Sequence, residues 1–354
     1  MLFFVFLIHL ISFQINDTLF VLVKGIEPYI HYSLEHDKLI FVQQDDHHND
    51  ILQLNSINKE GQIYNLGLIN NDSNLNLHSY HISIGDSKAL IKRESQMRPE
   101  NNRLELIPLL KDQIGEKKDI QASYISDGLY HLINDSTMYV INRRDSLNMS
   151  QILHVEDEFQ TVIKISSLFS FEDYPQWNNT IENHLLKYRM KAVSDRQGNT
   201  CSIFLYSSWL LCSTFDGVEM FAVNQPDEVN FPDIPPFMRG GSEFRSGPDA
   251  ENHRVQSVDI AMDDNIIYIL VFGQDIKRRA LLSAVFSGQK VDLDEITTTT
   301  ERVYLYDKFT GSFLREITLP NKSRAITVNE NHLIVVESGE RPGIRWIPKS
   351  EYGL

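Results

Sequence analysis

A short phrase recurs along this chain of 354 residues, and it constrains the fold more than any other feature. Apolar residues occupy its first and third positions, a mostly polar turn follows, and an apolar-rich strand begins after the turn. Copies of the phrase begin at Tyr32 (YSLEHDKLIFV), Ile82 (ISIGDSKALIK), Ile260 (IAMDDNIIYIL) and Ile326 (ITVNENHLIVV). A supersecondary unit that recurs in this way predicts a repeat architecture rather than a set of unrelated domains.

Strand signals fall into groups of about four that are separated by Asn, Asp and Gly turns. The groups cover residues 30–69, 79–120, 127–168, 188–223, 257–320 and 325–348. The last group has only three strands, but an extra strand, TLFVLVKGI, begins at Thr18 before the first group. Pairing that strand with the C-terminal group would close a ring and remove an exposed sheet edge. The sequence therefore predicts an all-β protein, a β-propeller with six blades of four antiparallel strands.

A resemblance to a known architecture follows from the C-terminal groups. The segment YDKFTGSFLREITLP, which leads into ITVNENHLIVVESG, resembles blades of NHL-type and TolB-like six-bladed β-propellers. The resemblance concerns architecture and implies no particular activity. Propellers of this kind include lactonases, amidating lyases and other hydrolases that hold Ca²⁺ or Zn²⁺ in the central channel, so the resemblance implies a metal enzyme as an alternative.

Composition and the N-terminus indicate the compartment. A formal charge of -15 and a pI near 5.2 argue against a nucleic-acid partner, which requires a basic surface. The opening run MLFFVFLIHLISFQ is too short to span a bilayer and predicts a signal peptide over residues 1–15. A first β-strand with an apolar lead-in is the alternative. We expect a secreted or periplasmic protein with one propeller domain over residues 16–354 and no transmembrane segment.

The two cysteines of the chain stand in TCSIFLYSSWLLCS. If SIFLY and WLLCS pair as a hairpin, Cys201 and Cys212 lie directly opposite each other, close enough for a disulfide. The alternative is two buried free thiols. A disulfide would agree with an exported protein, because oxidising compartments preserve such bonds.

Candidate binding residues come from the loops. In a propeller, with the strands of each blade lettered A to D, the B–C and D–A loops share one face. The long stretches 225–256 and 275–300 fall on it, and long loops are often functional. Apolar side chains beside guanidinium groups suit a ligand that carries carboxylate or phosphate. The candidates are Phe237, Arg239, Phe244 and Arg245 in the first stretch, with Arg98 and Arg341 from other loops. A Pro/Gly-rich surface cover with charges paired off locally is the alternative.

Metal-binding and catalytic signals are weak. Asp46, His47 and His48 in QQDDHHND could be metal ligands, but adjacent residues cannot all face one ion, so a solvated turn is the alternative. The sequence lacks G-x-S-x-G, H-E-x-x-H and a Gly-rich phosphate loop. We therefore expect a non-catalytic propeller without a cofactor that binds a protein, peptide or glycan ligand, possibly anionic, through the B–C/D–A face. The alternative is a metal-dependent hydrolase, lactonase or lyase with Ca or Zn in the central channel.

Overall fold

The architecture comes from a computed structural model. It describes residues 12–15, 18–44, 52–69, 78–95, 103–119, 128–134, 137–142, 150–156, 161–167, 190–205, 207–227, 237–239, 242–244, 253–276, 299–339 and 341–354. Within these residues, none of the helices has the length and apolar character needed to cross a membrane.

Two strands begin the described chain, and four four-stranded antiparallel sheets follow in sequence order. The first two strands are β1 (Ser12–Ile15) and β2 (Thr18–Leu22). Sheet 1 contains β3 (Ile26–Ser33), β4 (Lys38–Gln44), β5 (Leu52–Ile57) and β6 (Ile63–Leu68). Sheet 2 contains β7 (His78–Ile84), β8 (Lys88–Ser95), β9 (Arg103–Pro108) and β10 (Lys118–Asp119). Sheet 3 contains β11 (Gly128–Asn134), β12 (Thr137–Asn142), β13 (Ser150–Glu156) and β14 (Thr161–Ser167). Sheet 4 contains β15 (Met190–Ser194), β16 (Thr200–Phe204), β17 (Trp209–Ser213) and β18 (Glu219–Asn224).

A small hairpin and one eight-stranded sheet complete the fold. The hairpin consists of β19 (Phe237–Arg239) and β20 (Ser242–Phe244). The large sheet contains β21 (His253–Met262), β22 (Ile266–Ile276), β23 (Thr300–Asp307), β24 (Phe313–Val328), β25 (His332–Glu337) and β26 (Gly343–Pro348), with β2 and β1 beyond β26. A short 3₁₀ helix over Lys349–Tyr352 follows β26.

The strand β24 serves two neighbouring sheets. Its first part pairs with β23 and its last part pairs with β25. We therefore call β21, β22, β23 and the first part of β24 sheet 5. Sheet 6 is the last part of β24 together with β25, β26 and β2. Pro320, which has no N–H to donate, stands in the register shift of β24 between Thr318 and Ser323.

The ring closes where the N-terminal strand meets the C-terminal sheet. β2 pairs antiparallel with β26, with Phe20 opposite Arg345 and Leu22 opposite Gly343. A Cβ at Gly343 would lie 2.5 Å from the Val21 carbonyl oxygen, so the close approach of β2 requires glycine there. The predicted closure is confirmed. On the outer side of β2, β1 (Ser12–Ile15) pairs with it antiparallel. β1 falls in the segment predicted as a signal peptide. Cleavage of that segment stays a prediction.

The first strand of each sheet contacts the first strand of the next. The contacts run from β3 to β7, β11, β15, β21 and β24, and from β24 back to β3. Apolar clusters fill the spaces between the faces of adjacent sheets, for example Leu39 and Phe41 of sheet 1 with Ile334 and Trp346 of sheet 6. The predicted all-β propeller of four-stranded antiparallel sheets is confirmed. Six blades stays the interpretation that this circular order favours.

The predicted hairpin in sheet 4 carries the disulfide. Cys201 of β16 stands opposite Cys212 of β17, and the two sulfurs are bonded at 2.02 Å. Both residues are buried in the cluster between sheets 4 and 5. The bond therefore ties together the two central strands of sheet 4 beneath its apolar face.

Candidate functional site

The inner strands surround a central cavity of about 320 Å³. Its wall contains residues from the first strand of every sheet, and it extends to the turns that follow these strands at Leu34, Arg196, Asp264 and Glu330. The volume lies at the lower end of the range of small-molecule pockets, about 300–1,000 Å³. Every sheet can thus contribute a side chain to one ligand.

The most polar part of the wall comes from one register position of the repeat. In sheets 1, 2 and 5, the residue directly before the recurring phrase is His31, His81 and Asp259, respectively. The equivalent residues of sheets 3 and 4 are His131 and Lys191. All five line the cavity. In sheet 6 the position is Ala325. These residues are not among the site residues predicted from sequence. Alignment of the copies of the phrase identifies them, because they stand one position before it.

His31 is oriented by a carboxylate of the neighbouring sheet. Its Nε2 lies 3.1 Å from Asp86 Oδ1, and the Leu34 N–H donates to the same oxygen at 3.0 Å. Because a carboxylate only accepts, Nε2 carries the proton, and Nδ1 of the neutral ring is an acceptor. Burial raises the pKa of Asp86, but His31, the Leu34 N–H and the charge of Arg196 outweigh it, so the pKa is lowered.

His131 is part of a chain of hydrogen bonds through three sheets. The Leu132 N–H donates to Ser83 Oγ at 2.9 Å, and Ser83 Oγ lies 3.2 Å from His131 Nδ1. His131 Nε2 lies 3.2 Å from Ser194 Oγ, which contacts Thr200 Oγ1 at 2.8 Å; that hydroxyl donates to the Gly198 carbonyl.

These contacts determine the tautomer of His131. The Thr200 hydroxyl donates to a carbonyl, so Ser194 must donate to Thr200, and His131 Nε2–H must donate to Ser194. Nδ1 then accepts from Ser83. Burial lowers the pKa of His131 to about 3, and positive charge on His31 or His81 acts in the same direction. The ring is neutral near pH 7 and both of its nitrogens are used in packing the sheets.

Lys191 and Asp259 form an ion pair across sheets 4 and 5. Lys191 Nζ donates to Asp259 Oδ1 at 2.8 Å and to the Pro28 carbonyl at 3.4 Å, and the Ile326 N–H donates to Asp259 Oδ2 at 2.8 Å. Burial raises the pKa of Asp259, and Lys191 offsets part of that effect. An ammonium group has three N–H donors, so one donor of Lys191 has no partner within the described residues.

Two further ion pairs lie at the turns that end the cavity. Lys308 contacts Asp195 at 2.6 Å, and both side chains are only 4% exposed. Lys349 contacts Asp263 at 2.6 Å. In each pair a lysine that follows the third strand of one sheet reaches the turn of the preceding sheet. These turn carboxylates are therefore neutralised from outside the cavity.

Aromatic rings form another part of the wall. The Tyr29 ring meets the His81 ring edge-on, with centroids 6.4 Å apart and planes at 89°, a favourable arrangement for two rings. Burial, with the charge of Glu27, raises the pKa of Tyr29 to about 12. Tyr29 therefore stays neutral; it lines the cavity and packs against the apolar cluster between sheets 1 and 2.

The donor set of the cavity does not fit a metal ion as it stands. No group of three or more His, Cys, Asp or Glu in the described part of the chain has the geometry of a metal site. His131 uses both nitrogens and His31 uses Nε2 in hydrogen bonds, and Asp259 is bonded at both oxygens. A channel metal would require these contacts to rearrange.

The residues predicted from sequence lie elsewhere. Phe237 pairs with Phe244 in the β19–β20 hairpin, which also contains Arg239. Arg341 is exposed in the turn between β25 and β26. The other predicted residues lie outside the described residues: Arg98, Arg245, Asp46, His47 and His48. Binding through the B–C/D–A face and through these residues stays a prediction.

Comparisons with known proteins give similarity of fold alone. No family model and no curated protein matches the sequence. A member of the DUF4221 family from Bacteroides vulgatus has 11% identity and a TM-score of 0.54, and the match covers 96% of this chain and 97% of that chain. The β-propeller domain of Cps50 (Swd1) from Myceliophteria thermophila has 8% identity and a TM-score of 0.44 over 94% of this chain and 99% of that chain. At 11% identity the likeness to the DUF4221 structure concerns the fold alone.

Proposed function

We propose that this chain is a non-catalytic β-propeller, secreted or periplasmic, that binds a protein, peptide or glycan ligand, and that the central cavity holds the bound group. The observation that carries the proposal is the ring of polar side chains at one register position around a ligand-sized cavity. A cavity with a few convergent polar groups is the first candidate for a binding site in a fold of this kind. The proposal does not include catalysis because His131 and Asp259 are engaged in contacts between sheets.

The disulfide supports the proposed compartment. Cys201 and Cys212 are bonded, and such bonds persist mainly in oxidising compartments. Expression with and without residues 1–15, followed by N-terminal sequencing of the exported product, tests this part. A mature N-terminus near residue 16 supports export; retention of the full chain inside the cell contradicts it.

The binding proposal is tested with a variant that fills the cavity. Ala192 lines the cavity, and Ala192→Leu adds three carbons there. The purified chain is screened on glycan and peptide arrays, and every hit is measured by calorimetry. We expect Ala192→Leu to abolish binding of the hits while the thermal unfolding midpoint changes little.

Arg341→Ala is the matched variant for the competing face. This residue is exposed in a turn away from the cavity wall. Loss of binding in Arg341→Ala with full binding in Ala192→Leu would move the site to the B–C/D–A face. Loss in neither variant would remove both sites.

The metal-dependent alternative has a separate test. The purified protein is analysed for Ca and Zn by elemental analysis after dialysis without chelator. Stoichiometric metal that is lost in His31→Gln or Asp259→Asn would overturn the non-catalytic proposal. Less than a tenth of an equivalent per chain would support it.

A further inference from the structure

The acidic groups in and around the cavity slightly outnumber the basic groups. Asp259 is paired with Lys191, Asp195 with Lys308 and Asp263 with Lys349. At the end of the cavity Arg196 adds one positive charge, whereas Asp264 and Glu330 add two negative charges; the whole chain carries -15. The wall therefore has no surplus positive charge with which to neutralise an anionic ligand.

The cavity wall retains both an acceptor and a donor for hydrogen bonds to a ligand. His31 lines the cavity with its side chain 31% exposed, and its Nδ1 is an acceptor without a partner among the described residues. Lys191, 32% exposed, has a donor to spare, and its Nζ reaches the carbonyl of Pro28 on the same strand as His31. A ligand that satisfies both groups must donate to His31 and accept from Lys191.

Hydroxyl groups meet both requirements because each can donate and accept. A single amide N–H or carbonyl meets only one. Tyr29, which lines the cavity, adds apolar ring carbons beside these groups that the C–H groups of a sugar can contact. A neutral sugar thus matches the charge balance, the polar groups and the aromatic wall together.

We propose that the ligand of the central cavity is an uncharged saccharide, with one hydroxyl donating to His31 Nδ1 and another accepting from Lys191 Nζ. This inference rests on the proposed function, since it names the ligand class of the same site. Asp86 is a positioning residue, because its carboxylate fixes the His31 tautomer that leaves Nδ1 as an acceptor.

The test uses a panel of neutral disaccharides (maltose, cellobiose, lactose and trehalose), with glucuronic and galacturonic acid as charged probes. Calorimetry on the full chain compares the wild type with Lys191→Met and His31→Gln. Glutamine can still donate to Asp86 but lacks the ring acceptor. Lys322→Met removes an exposed lysine that does not line the cavity and is the matched control.

We expect at least one neutral disaccharide to bind, and each cavity variant to weaken it about tenfold or more, as loss of a hydrogen bond to a charged or oriented group does. Lys322→Met should bind like the wild type. Equal binding by all variants, or no binding of any neutral sugar at millimolar concentration, would overturn the saccharide inference. Preference for the uronic acids would also overturn it.

Comparison with Ala192→Leu distinguishes failure of the saccharide inference from failure of the cavity site. If an array peptide binds the wild type and not Ala192→Leu while the sugars do not bind, the cavity site stands and the saccharide class fails. If a sugar binds both proteins equally, the cavity site fails as well.

Discussion

Neighbouring sheets are joined differently in the two halves of the ring. Between sheets 4, 5 and 6 the contacts near the cavity are lysine–aspartate ion pairs, at Lys191, Lys308 and Lys349. Between sheets 1, 2, 3 and 4 they are imidazole hydrogen bonds, at His31 and His131. The backbone repeat is shared, so the difference lies in side chains at matching positions.

At the first-strand position shared by His31, His131, Lys191 and Asp259, this difference separates two roles. A permanent ion pair holds its sheets together at any pH near neutrality, but its charge is already used. A neutral imidazole joins sheets while keeping a ring nitrogen that can accept a proton or a hydrogen bond. His131 uses both nitrogens between sheets, whereas His31 uses one and retains the other. The histidine half therefore supplies the acceptor of the proposed site, and Lys191 of the lysine half supplies its spare donor.

The largest expected effect breaks an ion pair of the lysine half. Asp195→Asn leaves the 4% exposed Lys308 without its carboxylate, and removal of one partner of a buried pair costs about 3–5 kcal/mol. Urea unfolding at pH 7 measures it. Lys308→Met should cost less, because Asp195 still accepts from the N–H groups of Gln197 and Asn199. Equal losses, or a loss below about 1 kcal/mol, would contradict the account.

The next effect is a pH dependence of the histidine half. The pKa of His131 is about 3 in the folded chain and about 6.5 when unfolded. The unfolded state therefore binds more protons between these values, and stability falls as pH decreases below 6.5, by about 2 kcal/mol at pH 5. Unfolding at pH 7 and pH 5 should show this loss in the wild type, with a smaller loss in His131→Leu. The same pH dependence in both proteins would show that His131 is not its source.

The smallest expected effect concerns the pair of His31 and Asp86. The Asp86 side chain is 44% exposed, so Asp86→Asn should reduce stability at pH 7 by about 1 kcal/mol or less, owing to solvent screening. Because the pKa of Asp86 is lowered in the folded state, its contribution is present above the unfolded pKa and is lost as pH falls through the folded pKa. The difference between Asp86→Asn and wild type should therefore shrink in acid. A difference that grows in acid would contradict this sign.

Much of the fold follows from local sequence. Turn residues and alternating apolar residues predict each strand group, and the incomplete last group predicts that Thr18–Leu22 joins it. The strand β24 was not predicted as continuous, because Pro320 and Asn321 indicate a loop. Pairing on both sides of Pro320, with Ser323 opposite both Thr300 and Glu337, overrides that local signal.

The site is harder to predict, because its members are distant in sequence. His31 reads locally as a strand residue, and its partner Asp86 belongs to the turn of the next repeat. Lys308 meets Asp195 only because two sheets pack face to face. Asp46, His47 and His48 were predicted as candidate metal ligands because they are adjacent in sequence. The cavity wall instead contains single residues from separate repeats. Alignment of the repeats is the only sequence signal that shows this.

An ¹H–¹⁵N spectrum of the imidazole side chains during titration with the neutral disaccharides tests most directly whether the ligand binds at His31 in the central cavity. We expect free His31 to be the Nε2–H tautomer. Its Nδ1 resonance should shift as the disaccharide saturates the site. His36, which contacts the Leu109 carbonyl outside the cavity wall, should stay unchanged. Calorimetric binding with His31 unaffected would place the ligand elsewhere and contradict the central-cavity site.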